Sequence, residues 1–144
     1  MSSANPAEDE AVGALMQAKV IAVVGLDGRE ERTAYRIASY LKAQGYRVIP
    51  VPLQRWADEV LGEKSYHLTS EIPFHVDLVD VFVRSEQTGP VIEDAIAAKA
   101  GAVWLQQGIF NDTGVAQARE AGLAATQDRC TMVEHRDALA AGRA

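Results

Sequence analysis

Two glycines three positions apart, in Gly25-Leu26-Asp27-Gly28, are followed closely by Arg29, Arg32 and Thr33. Small, turn-prone residues let a backbone approach a bulky anion. When such a loop leads into a helix, free N–H groups and the positive end of the helix dipole make a seat for phosphate. Cations at that end oppose the dipole, so a bound phosphate would account for Arg29 and Arg32. Pairing with Glu30 or Glu31 is the alternative account. Gly25, Leu26, Asp27, Arg29, Arg32 and Thr33 are therefore candidate ligand contacts.

The residue types also discriminate among nucleotides. A dinucleotide fingerprint reads G-x-G-x-x-G, with an acidic residue for the ribose after the second strand. Here Asp27 and Glu30 stand where further glycines should fall. The second strand, Tyr46–Val51, runs into Pro52-Leu53-Gln54-Arg55. A cation replaces the acid, which suits a phosphorylated ribose better than a free diol. NAD is disfavoured; NADP and coenzyme A remain. Val51, Pro52 and Arg55 join the candidate site on this ground.

Two later strand ends supply further candidates. Phe82 and Arg84 end a third apolar run, where a ligand-facing cation would stand unless Glu86 pairs with it. Gln107, Gly108 and Ile109 end a fourth, with amide groups suited to the amides of a pantetheine chain. No catalytic set is expected. Cys130 and His135 are five apart, which does not align them on one helical face. His67 and His75 lack partners at metal-ligand spacing, so no metal site is expected. Trp104 reads as core, and Tyr35 as a helix-surface residue.

These residues need a scaffold that gathers loops. Val20–Val24 is apolar without alternation, as in a strand buried on both faces of a parallel sheet. A helix follows from near Glu30, with Ala34, Ile37, Ala38 and Leu41 as its stripe and Gly45 past its end. Residues 53–77 are irregular, with turn or capping signals at Leu61-Gly62, Thr69-Ser70 and Ile72-Pro73. Strands at Leu78–Val83, Ala102–Gln106 and Leu123–Thr126 alternate with helices opening near Pro90, Asn111 or Asp112, and Thr131. This is an α/β, Rossmann-like, doubly wound five-stranded parallel sheet. The expected strand order is 3-2-1-4-5, with the ligand crevice between strands 1 and 4. Val12, Leu15 and Met16 predict an extra N-terminal helix from about Glu8.

Composition bounds the rest. A chain of 144 residues with 48% hydrophobic content fits one folded domain. Residues 1–8 read as a flexible tail without signal-peptide features, and 9–144 as that domain. No apolar stretch spans a bilayer. A net charge of −6 argues against the basic face that nucleic acid requires, though a few local arginines can still hold an anionic ligand. A single cysteine, Cys130, rules out an internal disulfide and fits a reducing cytoplasm.

The blocks IAVVGL, GYRVIPV, EVLGEK, VDVFVRSE, VWLQQGI and DRCTMVEH resemble, in order, the small stand-alone CoA-binding proteins. Their fold is similar to the N-terminal domain of the succinyl-CoA synthetase alpha subunit. The resemblance spans roughly residues 14–137. It implies a domain that cradles coenzyme A at the strand C-termini. Val51-Pro52-Leu53 departs from the family's Val-Asn-Pro, and the resemblance does not extend to the synthetase's phosphorylated-histidine domain. The expected function is a cytosolic module binding coenzyme A or an acyl-CoA without catalysis. The alternatives are a CoA-presenting component of a larger acyl-CoA enzyme, with a protein partner or as a homodimer, and an NADP-binding protein.

Overall fold

Strand β1 (Val20–Val24) is buried along nearly its whole length, with Ile21 and Val23 facing one core and Ala22 and Val24 the other. That two-sided burial requires helices on both faces of the sheet, and the computed structural model, which describes residues 6–143, provides them. After β1 come α2 (Thr33–Ala43), β2 (Arg47–Val51) and a short antiparallel pair, β3 (Glu59–Val60) and β4 (Glu63–Lys64). Then follow β5 (Leu78–Val81), α3 (Thr88–Ala97), β6 (Ala102–Leu105), α4 (Asp112–Glu120), β7 (Ala124–Thr126) and α5 (Thr131–Ala140). Helix α1 (Pro6–Gln17) precedes them all and packs against β7 and α5. It starts two residues ahead of the expected position. The rest of the expected tail, residues 1–5, lies outside the described residues.

The five-stranded sheet is parallel, in the order β2-β1-β5-β6-β7. Numbered among the five long strands, this is 2-1-3-4-5, which corrects the expected 3-2-1-4-5. The physical reason is in the sequence. Pro50 has no N–H to donate, so a strand carrying it belongs at a sheet edge. The expected order would have placed β2 between two neighbours; in the structure it pairs only with β1 in this sheet. Asp77 confirms the pairing on the other side of β1. Its carboxylate Oδ2 accepts from the N–H groups of Lys19 and Val20, both at 2.9 Å. The winding therefore reverses between β1 and β5, and the crevice belongs there.

Residues 53–77 carry the chain from β2 across to β5. Leu61 and Gly62, at φ 53° and 82°, make the tight turn between β3 and β4. Helices α1, α2 and α5 cover one core and α3 and α4 the other, with Trp104 fully buried in the first. Asn111 caps α4, its side-chain oxygen accepting from the Gly114 N–H at 2.8 Å. None of the described helices is long and apolar enough to cross a membrane.

Candidate functional site

The loops after β1, β2 and β5 are sewn together at their first residues. Gly25 N–H donates to the Val51 carbonyl and Phe82 N–H to the Val24 carbonyl, both at 2.9 Å. Gly25 has φ 101°, and a Cβ built on it would stand 3.3 Å from Phe82 Cβ. This position therefore needs glycine for its backbone angle and for its closeness to the next loop. Its N–H is already used, so phosphate donors must come from elsewhere. The Leu26 side chain is fully buried in the core, which leaves only its backbone for a ligand.

Helix α2 starts at Thr33 rather than near Glu30, because residues 27–29 fold back on themselves. Asp27 Oδ1 accepts from Arg29 N–H at 3.2 Å, two residues on, while its Oδ2 accepts from Arg29 Nε at 2.9 Å and Nη2 at 2.6 Å. An aspartate that turns the backbone this way delays the helix. Burial alone would raise the Asp27 pKa, but the hydrogen bonds from Arg29 outweigh it and hold the carboxyl below its usual value. Arg29 therefore pairs directly with Asp27, and Glu31 acts on it only through its charge. Arg32 is different. It occupies the N-cap of α2, where no side chain caps the helix, and its guanidinium forms no hydrogen bond or salt bridge with any described residue. An uncapped helix end and a cation whose charge acts on Asp27 without touching it meet at one point.

A cleft of about 640 Å³ opens at this point, lined by Gly25, Arg32, Thr33, Phe82, Gln107 and Ile109 among the expected residues. Glu31, Arg36, Ile37, Gln106 and Cys130 also line it and were not expected as contacts. A second hollow of about 400 Å³ shares Gly25, Arg32 and Phe82 and adds Asp27, Arg29 and Arg84 with Leu53, Gln54 and Gln87. Beyond Leu53 and Gln87 lies an apolar hollow of about 320 Å³ between Val24, Val51, His67, Leu68, Pro90 and Val91. The three hollows are neighbours: Gly25, Arg32 and Phe82 wall the first and second, and Leu53 and Gln87 the second and third.

The remaining expected residues are placed as follows. Gly108 lines a shallow pocket beside Phe82 and Arg84, and its N–H donates to Asp128 Oδ1 at 2.7 Å. Asp128, at φ 58°, thereby ties the loop after β7 to the loop after β6. Arg84 is largely exposed and only 3.8 Å from Glu86, a loose pair. Pro52 is buried, and Arg55 is exposed on the loop after β2 without lining any of these hollows. Leu53 and Gln54 line them instead.

Cys130, the N-cap of α5, borders the large cleft. His135 is 5% exposed, does not line that cleft, and has Nδ1 2.7 Å from the Tyr40 hydroxyl. Burial lowers its pKa. Under the cleft floor lies a network that sequence reasoning missed. Asp80 in β5, fully buried, accepts from Gln106 Nε2 at 2.6 Å and from the Thr131 hydroxyl at 2.9 Å. Burial raises the Asp80 pKa to about 7 against the opposing pull of those two bonds. The signal was an acid inside the run Leu78–Phe82, since a buried carboxyl needs donors from other elements.

A family model described as "CoA binding domain" matches residues 19–136. The "Uncharacterized protein YneT" of Bacillus subtilis (strain 168) is 37% identical over 131 residues, 91% of this chain and 96% of that protein. A hypothetical protein from Pyrococcus horikoshii OT3 superposes with TM-score 0.82 at 34% identity, covering 96% of this chain and 99% of its own. The dinucleotide forming acetyl-coenzyme A synthetase 1 of Ca. Korarchaeum cryptofilum matches at TM-score 0.69 and 26% identity, over 79% of this chain and 27% of that one.

Proposed function

The chain belongs to the CoA-binding domain family, and from that premise we propose that it holds coenzyme A or an acyl-CoA across the β1–β5 crevice without transforming it. The observation that carries this reading is the row of three adjacent hollows past Gly25 and Arg32, apolar at one end and lined with amides at the other. Coenzyme A has a matching order of parts. Its adenine suits the apolar hollow beside β2. Its phosphates suit Arg32, Arg84 and the uncapped start of α2. Its pantetheine arm suits Phe82, Gln107 and Ile109, with the thiol end toward Cys130. Bound coenzyme A would supply a thiol that carries acyl groups; the residues named bind and orient it. The single cysteine accords with a cytoplasmic location, which is part of the same proposal.

A second reading has its own support. The matched region is only 27% of the Korarchaeum synthetase chain, so a domain of this kind also exists joined to others. This protein would then present coenzyme A to a separate catalytic partner. NADP is the weakest of the alternatives, because the glycine pattern is incomplete.

A thermal-shift series with CoA, acetyl-CoA, NADP, NAD and ATP tests the premise. A ligand at 100 times its Kd adds about 2.7 kcal/mol, which raises the Tm by several degrees. CoA or acetyl-CoA should shift the Tm most. A larger shift with NAD would overturn the reading.

A further inference from the structure

Gln106 stands at the end of β6 and is 4% exposed, yet it lines the large cleft. Its Nε2 donates twice into the protein, to Asp80 Oδ1 at 2.6 Å and to Thr131 Oγ1 at 2.8 Å. Thr131 gives its one hydroxyl hydrogen to Asp80 Oδ2. With Asp80 ionised, the orientation of the amide has only one solution. An ionised Asp80 can only accept, and Thr131, having spent its hydrogen, must accept from Gln106. The NH₂ group is turned inward and both its hydrogens are used. The carbonyl oxygen, Oε1, has no partner among the described residues, and it is not among the fully enclosed unpaired atoms, of which Ser65 Oγ is the one instance. A nine-tenths-buried side chain on the cleft wall thus carries one acceptor without a partner among the described residues.

We propose that Asp80 and Thr131 lock the Gln106 amide so that Oε1 faces the cleft as a hydrogen-bond acceptor, selecting ligands that bring an N–H donor there. On the reading above, that donor is an amide N–H of the pantetheine arm; this identification rests on that reading. Gln106 is the specificity-determining residue, and Asp80 and Thr131 are positioning residues. An acceptor held this way discriminates sharply, because a ligand without the donor leaves it desolvated and unpaired. A flipped or freely rotating amide would meet donors and acceptors alike.

The test compares CoA with adenosine 3′,5′-bisphosphate, which lacks the pantetheine arm, by calorimetry at pH 8, where Asp80 is ionised. Gln106→Met should weaken CoA about tenfold and leave the bisphosphate unchanged. Thr131→Val should do the same, and Thr131→Ser should restore wild-type affinity. A wild-type protein that binds neither ligand would refute the coenzyme reading alone. Equal losses for both ligands, or none, would overturn the role of Gln106. An NMR measurement needs neither ligand nor variant: both Gln106 Nε2 protons should be slow to exchange with water. Fast exchange of both protons with water would overturn the locked amide.

Discussion

Gly25 and Phe82 sit at the first loop positions after two strands that are distant in sequence but adjacent in the sheet, and a Cβ on Gly25 would come within 3.3 Å of Phe82 Cβ. That closeness exists because β5 pairs with β1. It puts the reversal of winding, the uncapped start of α2 and the Arg32 guanidinium, which makes no hydrogen bond, at one place.

Gly25→Ala should cost roughly 1–2 kcal/mol of stability from its positive φ, measured by denaturant unfolding. Gly45 has nearly the same angle, φ 102°, with nothing within 4 Å of a built Cβ. Gly45→Ala should therefore lose similar stability but keep wild-type CoA affinity, whereas Gly25→Ala should lose affinity as well. Equal affinities for the two variants would remove Gly25 from the site.

Arg32→Ala should weaken CoA by about 1.5–3 kcal/mol, as expected for a charge-assisted contact, and the wild-type affinity should fall with added salt. Arg55→Ala should change CoA and dephospho-CoA affinity little and equally, because Arg55 does not line the hollows. A loss confined to CoA would place the 3′-phosphate at Arg55.

Cys130 borders the large cleft, so bound ligand should shield it. CoA should slow alkylation of its thiol by iodoacetamide, while adenosine 3′,5′-bisphosphate should not. Equal protection by both would show that the arm runs elsewhere.

Asp80 gives the pH prediction. Its folded pKa, about 7, lies above the unfolded carboxyl value, so the folded state binds the extra proton between them. Its contribution to stability is therefore complete below about pH 4 and is lost as pH rises to 7. Relative to Asp80→Asn, the wild type should lose stability over that window, on the order of a few kcal/mol, and run parallel above it. Parallel curves from pH 4 to 8 would mean that Asp80 titrates normally.

Much of this protein was legible in its sequence, because local chemistry suffices for it. Unbroken apolar runs fixed the parallel, helix-covered sheet, and the stripe at Ala34, Ile37, Ala38 and Leu41 fixed the buried face of α2. The loops holding Gly25, Phe82 and Gln107 were found for the same reason: each follows its own strand. What tertiary structure decided was everything that depends on which strands are neighbours. Pro50 marked β2 as an edge, but only the folded sheet shows β5 beside β1 and moves the crevice between them. Arg29 and Arg32 look equivalent in sequence, and a two-residue fold-back at Asp27 gives one a direct ion pair and leaves the other only at longer range from the same carboxylate. Asp80, Gln106 and Thr131 come from three separate elements, 25 to 51 residues apart. No local pattern joins them. They meet because a carboxyl buried in β5 must find its donors on whatever packs above it, and the order of the strands chooses those donors.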